Sequence, residues 1–351
     1  LCKRGADALG QALALTESTN RYELADFSEY NDIFLLHNSS GKLNGVKESI
    51  FMENIKDYSG RWRWNMVNDF RPQSIEYSGI KCYPTANYVN YYGMQNGYPI
   101  NDMTKADAES GYDPTHPWKN RDPRFYKTIM FDGVKWKSTG GAGGTAELFT
   151  GGRESEEANE KKGCFTAYMN SKLCPQLMNT VDGYKENNIM ILSLMRLADV
   201  YLMYAEATAV GYNGPKSKAA TYSLTAEEAL NKIRERAGVA PVLDKFLGST
   251  ADFLSELRRE RAVELSFEGF RFIDLRRWML LTQYPYTLKT KIEFDRADPS
   301  DYNYDEPEEN AIKNLREVVL LERKYTDRHY WYPLPKKDVS MYEGFYQNPG
   351  W

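Results

Sequence analysis

Between residues 189 and 281 the spacing of apolar positions predicts helices. Leu194, Leu197, Tyr201, Tyr204 and Thr208 recur at three- and four-residue steps, giving one buried stripe, with Arg196, Asp199 and Glu206 on other faces. That helix should stop near Gly211, ahead of Asn213-Gly214-Pro215. Thr225 and Glu228 have capping-box spacing and open a second helix with the stripe Leu230, Ile233 and Ala237, which Gly238 and Pro241 end. A third begins near Thr250, uses Phe253, Leu254 and Leu257, and runs through Leu265 to Gly269; a fourth follows from Phe270 to about Leu281. Antiparallel helices on short connections are the unit of tetratricopeptide-like repeats, although the strict repeat consensus is absent.

The flanks read differently. Residues 1–188 are rich in Gly, Asn, Tyr and Trp, with turn signals at Asn44-Gly45 and Asn96-Gly97. Weak periodicity there predicts long loops, short strands and few helices beyond an opening one at Ala6 to Leu15. The run from Gly140 to Gly152 lacks the Gly-Lys-Ser/Thr of a phosphate-binding loop and is expected to be a mobile surface loop. After Pro285 the pattern turns irregular, with an acidic stretch at 295–309 and an extended aromatic tail marked by Pro333, Pro335 and Pro349. The expected fold is mainly α: a tetratricopeptide-like helical-repeat scaffold (an α/α superhelix) with a large loop-rich portion. We expect a single domain over residues 1–351, loop-rich over 1–188 and helical-repeat plus tail over 189–351.

Composition narrows the function. The 351 residues carry a net charge of −4, which argues against a nucleic-acid surface, and no eighteen-residue apolar run is present to span a membrane. The four cysteines, Cys2, Cys82, Cys164 and Cys174, fit no zinc spacing, and their pairing is undecided. His37, His116 and His329 are scattered, so neither a metal nor another cofactor is expected. Tyrosine leads the aromatic residues with 26, suiting recognition surfaces as well as half-buried packing.

Four constellations could carry chemistry. Glu264 and Glu268, four apart, would project from one helix face as a glycosidase carboxylate pair does. Arg261, Arg271, Arg276 and Arg277 crowd that segment, however, and cations keep carboxylates ionised, whereas a general acid needs a raised pKa. Ion-paired glutamates locking two helices are therefore expected. Asn120 to Tyr126, with Asp122 between arginines, is expected to be a turn held by local ion pairs rather than an anion site. Asp301, Asn303 and Asp305 alternate as in an EF-hand loop, but Glu306 and Ile312 stand where Gly and Glu belong, so a solvated loop is expected. The ligand-binding candidates are Trp62 and Trp64, with Arg61, Asn65, Tyr77 and Tyr83. The two indoles share one face of a strand pattern; exposed, that face is a stacking platform for sugar rings, and turned inward it is core. Tyr88, Tyr91 and Tyr92 are expected to pack.

Several segments resemble the SusD/RagB family: Met195 to Ala207, the stretch Glu260 to Trp278, the terminus Gln347-Asn348-Pro349-Gly350-Trp351, and Asn120-Arg121-Asp122-Pro123-Arg124-Phe125-Tyr126. The resemblance implies a tetratricopeptide-type scaffold whose loop-rich part faces the ligand. It implies a non-catalytic, lipid-anchored protein on the extracellular face of a Gram-negative outer membrane. Its partner would be a SusC-like TonB-dependent transporter, over which it acts as a lid. The ligand would be an oligo- or polysaccharide, with a peptide as the alternative; a glycosidase and a pure protein scaffold are the other readings. Known members are longer, so an amino-terminal portion with the lipid-bearing cysteine is expected to precede this chain.

Overall fold

The computed structural model describes residues 1–36, 45–52, 83–138, 144–156, 163–173, 189–191 and 193–351. The helices that organise it are α1 (Cys2–Thr19), α2 (Ala86–Val89), α3 (Pro123–Thr128), α4 (Leu197–Gly211), α5 (Ala226–Ala237), α6 (Thr250–Glu264) and α7 (Phe270–Arg277). α1 packs on α4, and α4 packs on both α5 and α6, which gives the antiparallel helix pairs of the scaffold. The close approach of α1 depends on Gly10, where a Cβ would lie 2.5 Å from Thr221 Oγ1 and 3.3 Å from the Tyr204 ring.

Local chemistry explains the helix ends. Glu228 N donates to Thr225 Oγ1 at 3.2 Å and Thr225 N to the Glu228 carboxylate at 2.7 Å, so α5 opens on the expected capping box and closes on left-handed Gly238. Leu230, Ile233 and Ala237 are buried, as are Leu197, Tyr201, Tyr204 and Thr208 on α4. Leu194 is not in that stripe. It lies 57% exposed on a strand, because Arg196 is drawn into a buried ion cluster with extended backbone (φ −135°, ψ 160°), and α4 starts only after it. The fourth helix also ends early, at Arg277. Met279 turns left-handed at φ 58° and Leu280 N donates back to Leu275 O at 2.8 Å, which closes the helix end.

Strands pair antiparallel in twos: β1 (Leu35–Leu36) with β5 (Ile189–Met190), β2 (Ser49–Met52) with β6 (Ser193–Arg196), β3 (Ile129–Met130) with β4 (Met169–Asn170), and β7 (Leu288–Arg296) with β8 (Ile312–Glu322). The last pair corrects the expectation of an irregular chain after Pro285. Thr290, Ile292, Phe294 and Arg296 alternate inward along β7, a period of two hidden by the charged residues between them. Its partner lies beyond the acidic stretch, so no short turn announces the hairpin.

Two large apolar clusters dominate the core of the described residues, with smaller ones around Tyr30 and Leu281. Ala6, Leu13, Tyr204, Leu230, Phe253 and Leu257 centre the helical one. Trp118, Phe125, Phe131, Trp136 and Phe294 centre another in the loop-rich part, joined by Val263 from α6. The second half of the glycine-rich run belongs to this core: Gly144 O accepts from Trp136 N at 2.7 Å, and Ala146 and Leu148 are buried. That corrects the expected mobile loop for residues 144–152, because small residues let the backbone pack closely against the indole. Cys2 and Cys164 are unpaired thiols, and Cys82 and Cys174 lie outside the described residues. Among the described residues no helix is long and apolar enough to cross a membrane.

Candidate functional site

The carboxylates singled out by spacing form part of a ladder. Glu256, Glu260, Glu264 and Glu268 follow one another at four-residue steps along α6 and just beyond it, and each meets cations from distant parts of the chain. Glu256 pairs with Arg234 and Arg259. Glu260 receives Arg124 at 2.5 Å and Arg234 at 2.9 Å. Glu264 receives Arg196 at 2.7 Å, Arg236 at 2.5 Å and Arg124 at 3.0 Å. Glu268 receives Arg196 at 2.8 Å and Lys172 at 2.7 Å. The expected crowding arginines are not the partners: Arg261 turns instead to Asp199 at 2.7 Å and Asp274 at 2.9 Å, tying α4, α6 and α7 together.

This ladder holds the fold and is not suited to proton transfer. Burial pushes the Glu264 carboxyl up, but Arg236, Arg196, Arg124 and Lys172 outweigh it and hold it well below the usual range. Glu268 is likewise lowered, by Arg196 and Lys172 against its burial. Glu264 has no exposed surface, so a sugar oxygen has no path to it. Asp122 and Arg124, the centre of the Asn120–Tyr126 segment, are also buried; Asp122 caps α3 and pairs with Arg124 at 2.7 Å. The expected ion-paired turn is present, with the addition that Arg124 reaches the ladder. A pH dependence follows. Glu256, pushed up by burial but held at about 2 by Arg259 and Arg234, has a folded pKa below its ordinary 4.5. Its stabilisation is complete above pH 4.5 and is lost as pH falls through about 2. Thermal melting should therefore be insensitive to pH from neutrality to about 5 and fall steeply below 4.5, and a flat profile down to pH 3 would remove the ladder from the stability of the fold.

Of the ligand candidates, Arg61, Trp62, Trp64, Asn65 and Tyr77 lie outside the described residues. Tyr83 is half-buried beside the loop-rich core, its ring 6.1 Å from Phe165 and edge-on. Among the described residues no group of three or more His, Cys, Asp or Glu could hold a metal ion, and in the acidic stretch Asn303 is engaged by the backbone of Asp305 and Glu306 and by Asn310.

The structure instead assembles a cleft of about 720 Å³ that no single sequence segment marks. Arg258 and Arg259 of α6 form one wall; Asn87 of α2, with Asn90 and Tyr91 just after it, forms another. Tyr284, Pro285, Tyr286 and β7–β8 close the far side, and Asn101 and Lys245 complete the rim. Asn87 is pinned, its amide donating to Leu288 O at 2.8 Å and its backbone N to Thr290 Oγ1 at 2.9 Å. Tyr91 packs edge-on to Tyr88 at 5.7 Å and against the loop-rich core, as expected, and it also lines the cleft with Arg271 over its ring. The Arg271 guanidinium lies 4.7 Å from the Tyr91 ring and 5.5 Å from the Tyr286 ring, wedged between two aromatic faces. Tyr284 stands 76% exposed at the mouth. Sequence reasoning missed this site because its walls come from segments nearly two hundred residues apart; the clustering of Tyr284, Pro285 and Tyr286 after α7 was the one local signal.

Comparison places the chain among known proteins. The SusD family model matches residues 47–351. Among solved structures, a SusD-like protein from Bacteroides fragilis is 22% identical with a TM-score of 0.68, covering 94% of this chain and 59% of its own. A SusD-like carbohydrate-binding protein from the same organism is 20% identical with a TM-score of 0.64, covering 97% of this chain and 60% of its own. A SusD superfamily protein from Parabacteroides distasonis is 17% identical with a TM-score of 0.55, covering all of this chain and 58% of its own. The chain thus spans about three-fifths of the length of these structures. No curated protein sequence matches it. The shared helical, tetratricopeptide-like fold and a family match running from residue 47 to the last residue make this chain a member of the SusD family.

Proposed function

We propose that this protein binds oligo- or polysaccharide at the bacterial cell surface without cleaving it and delivers it to a SusC-like TonB-dependent transporter. It acts as a single unit held by lipid on the extracellular face of the outer membrane. The observation that carries the binding role is the cleft between α2, α6 and the β7–β8 hairpin. Tyrosine faces suit the apolar C–H faces of sugar rings, and the Asn87, Asn90, Asn101 and arginine groups suit their hydroxyls. A solved relative of the same fold described as carbohydrate-binding supports the reading. The transporter and the anchor rest on family membership. Trp62 and Trp64, with Arg61, Asn65, Tyr77 and Tyr83, are proposed as a second stacking surface.

Calorimetric titration against a panel of neutral and acidic oligosaccharides, with the spent samples assayed for new reducing ends, tests this. Binding without cleavage is the expected result. Tyr286→Ala and Trp62→Ala should each weaken binding by about twofold to tenfold, the loss of one ring stack. Cleavage would overturn the non-catalytic reading, and absence of binding to every saccharide would overturn the glycan reading.

A further inference from the structure

The cleft holds more positive charge than its own carboxylates can neutralise. Among the described residues Arg271 has no carboxylate partner; it makes a long 3.5 Å contact to Arg258 O, a side-chain hydrogen bond with Tyr91, and ring contacts with Tyr91 and Tyr286. Arg258, 5.4 Å from the Trp278 ring, likewise forms no ion pair among them, and its buried Nε finds no acceptor. The acidic groups lining the cleft are Glu256, already engaged by Arg234 and Arg259, and Glu317, exposed on β8 and paired with neither Arg258 nor Arg271. On β7, between the lining residues Leu288 and Thr290, Lys289 is half-buried without a carboxylate partner among the described residues. Burial, with Arg323 and Arg271 adding repulsion, pushes its amine down to about 8.

Half-buried guanidinium groups held against aromatic rings keep donors for acceptors that a ligand can supply. Arg124, Arg196, Arg234 and Arg236 of the ladder are each matched by carboxylates, whereas Arg258 and Arg271, which line the cleft, are not matched among the described residues. We infer that the cleft takes an anionic saccharide, a sugar ring stacked on Tyr91, Tyr284 or Tyr286 whose carboxylate or sulfate is bound by Arg271 and Arg258. The planar fork of arginine matches either group with two parallel hydrogen bonds, and the flanking rings hold the guanidinium in place before the ligand arrives. This rests on the proposed saccharide-binding role and names the class of its ligand.

The test uses the whole chain and four probes of similar length: a galacturonate trisaccharide, a sulfated chondroitin tetrasaccharide, a desulfated chondroitin tetrasaccharide and maltotriose. Titration at low and high salt should show a uronate or sulfated probe binding at least about tenfold tighter than maltotriose, with the advantage shrinking as salt rises. Tighter binding of the sulfated tetrasaccharide than of its desulfated form identifies sulfate as the anion; equal binding of the two identifies the carboxylate. Arg271→Gln should abolish the preference, so that the acidic probes bind no tighter than maltotriose to the same variant, and Arg271→Lys should restore part of it. Because Arg271 forms no ion pair among the described residues, its variants should melt near the parent protein, and the salt series on the unsubstituted protein reads the same property without any substitution. Equal affinity for neutral and acidic probes, or a preference that survives Arg271→Gln, overturns the anion assignment and leaves saccharide binding standing. Failure of every probe to bind overturns both.

Discussion

Glutamine at position 264 is expected to destabilise the protein by about 3–5 kcal/mol, seen as a lower midpoint in urea unfolding with little change in slope. The substitution keeps the shape of Glu264 and removes its charge. Arg124, Arg196 and Arg236 would then converge on an amide that offers one acceptor and presents donors to donors. Arg236 keeps Glu48 at 3.1 Å and Arg196 keeps Glu48 and Glu268, so the chain retains a native state rather than losing the fold outright. Adding Arg236→Met to that background should recover part of the loss, because it removes one of the stranded charges. A single substitution costing less than about 1 kcal/mol would mean that the ladder contributes little to stability.

Trp118→Ala should cost a similar 3–5 kcal/mol, by a different mechanism. The indole is fully buried, 5.1 Å from the Phe131 ring and 5.2 Å from that of Phe294, and its Nε1 reaches Tyr168 OH at 3.4 Å. Its removal leaves a cavity in the loop-rich core, far from α1, α4 and α5. The informative measurement is whether far-UV dichroism, dominated by those helices, moves with the fluorescence of the remaining tryptophans. We expect coincident transitions, because α6 serves both cores: Phe253 and Leu257 pack among the helices, Val263 packs in the loop-rich cluster, and Glu260 and Glu264 bind Arg124 of α3. A fluorescence midpoint that falls while the helical signal stays would divide the chain into two independent units.

The cleft and the ladder are two outcomes for the same residue type. Arg124, Arg196 and Arg234 lie at no exposure and are matched by carboxylates, so they lock loops to helices. Arg271 and Arg258 border an open cleft and are matched by aromatic rings, which position a guanidinium without neutralising it. Both kinds of arginine occur around α6 and α7, where Arg261 is matched by Asp199 and Asp274 and Arg271 is not matched by a carboxylate among the described residues, and their spacing along the chain does not separate them.

What the sequence by itself determined is local. The capping box at Thr225, the stripes of α4, α5 and α6 and the stops at Gly211 and Gly238 are readable because helix propagation and termination depend on residues three to five apart. The family is readable for a related reason, since Glu260 to Trp278 and Asn120 to Tyr126 are contiguous runs, and both prove to be strands of one ion network. The tertiary structure alone decided the rest. It set which arginine meets which glutamate, why Leu194 leaves its stripe, that β7 finds β8 across the acidic stretch, and that Asn87, Arg271 and Tyr286 share a cleft. Each of these depends on pairs far apart in the chain, whose meeting is fixed by burial and charge satisfaction in three dimensions and leaves no period in one.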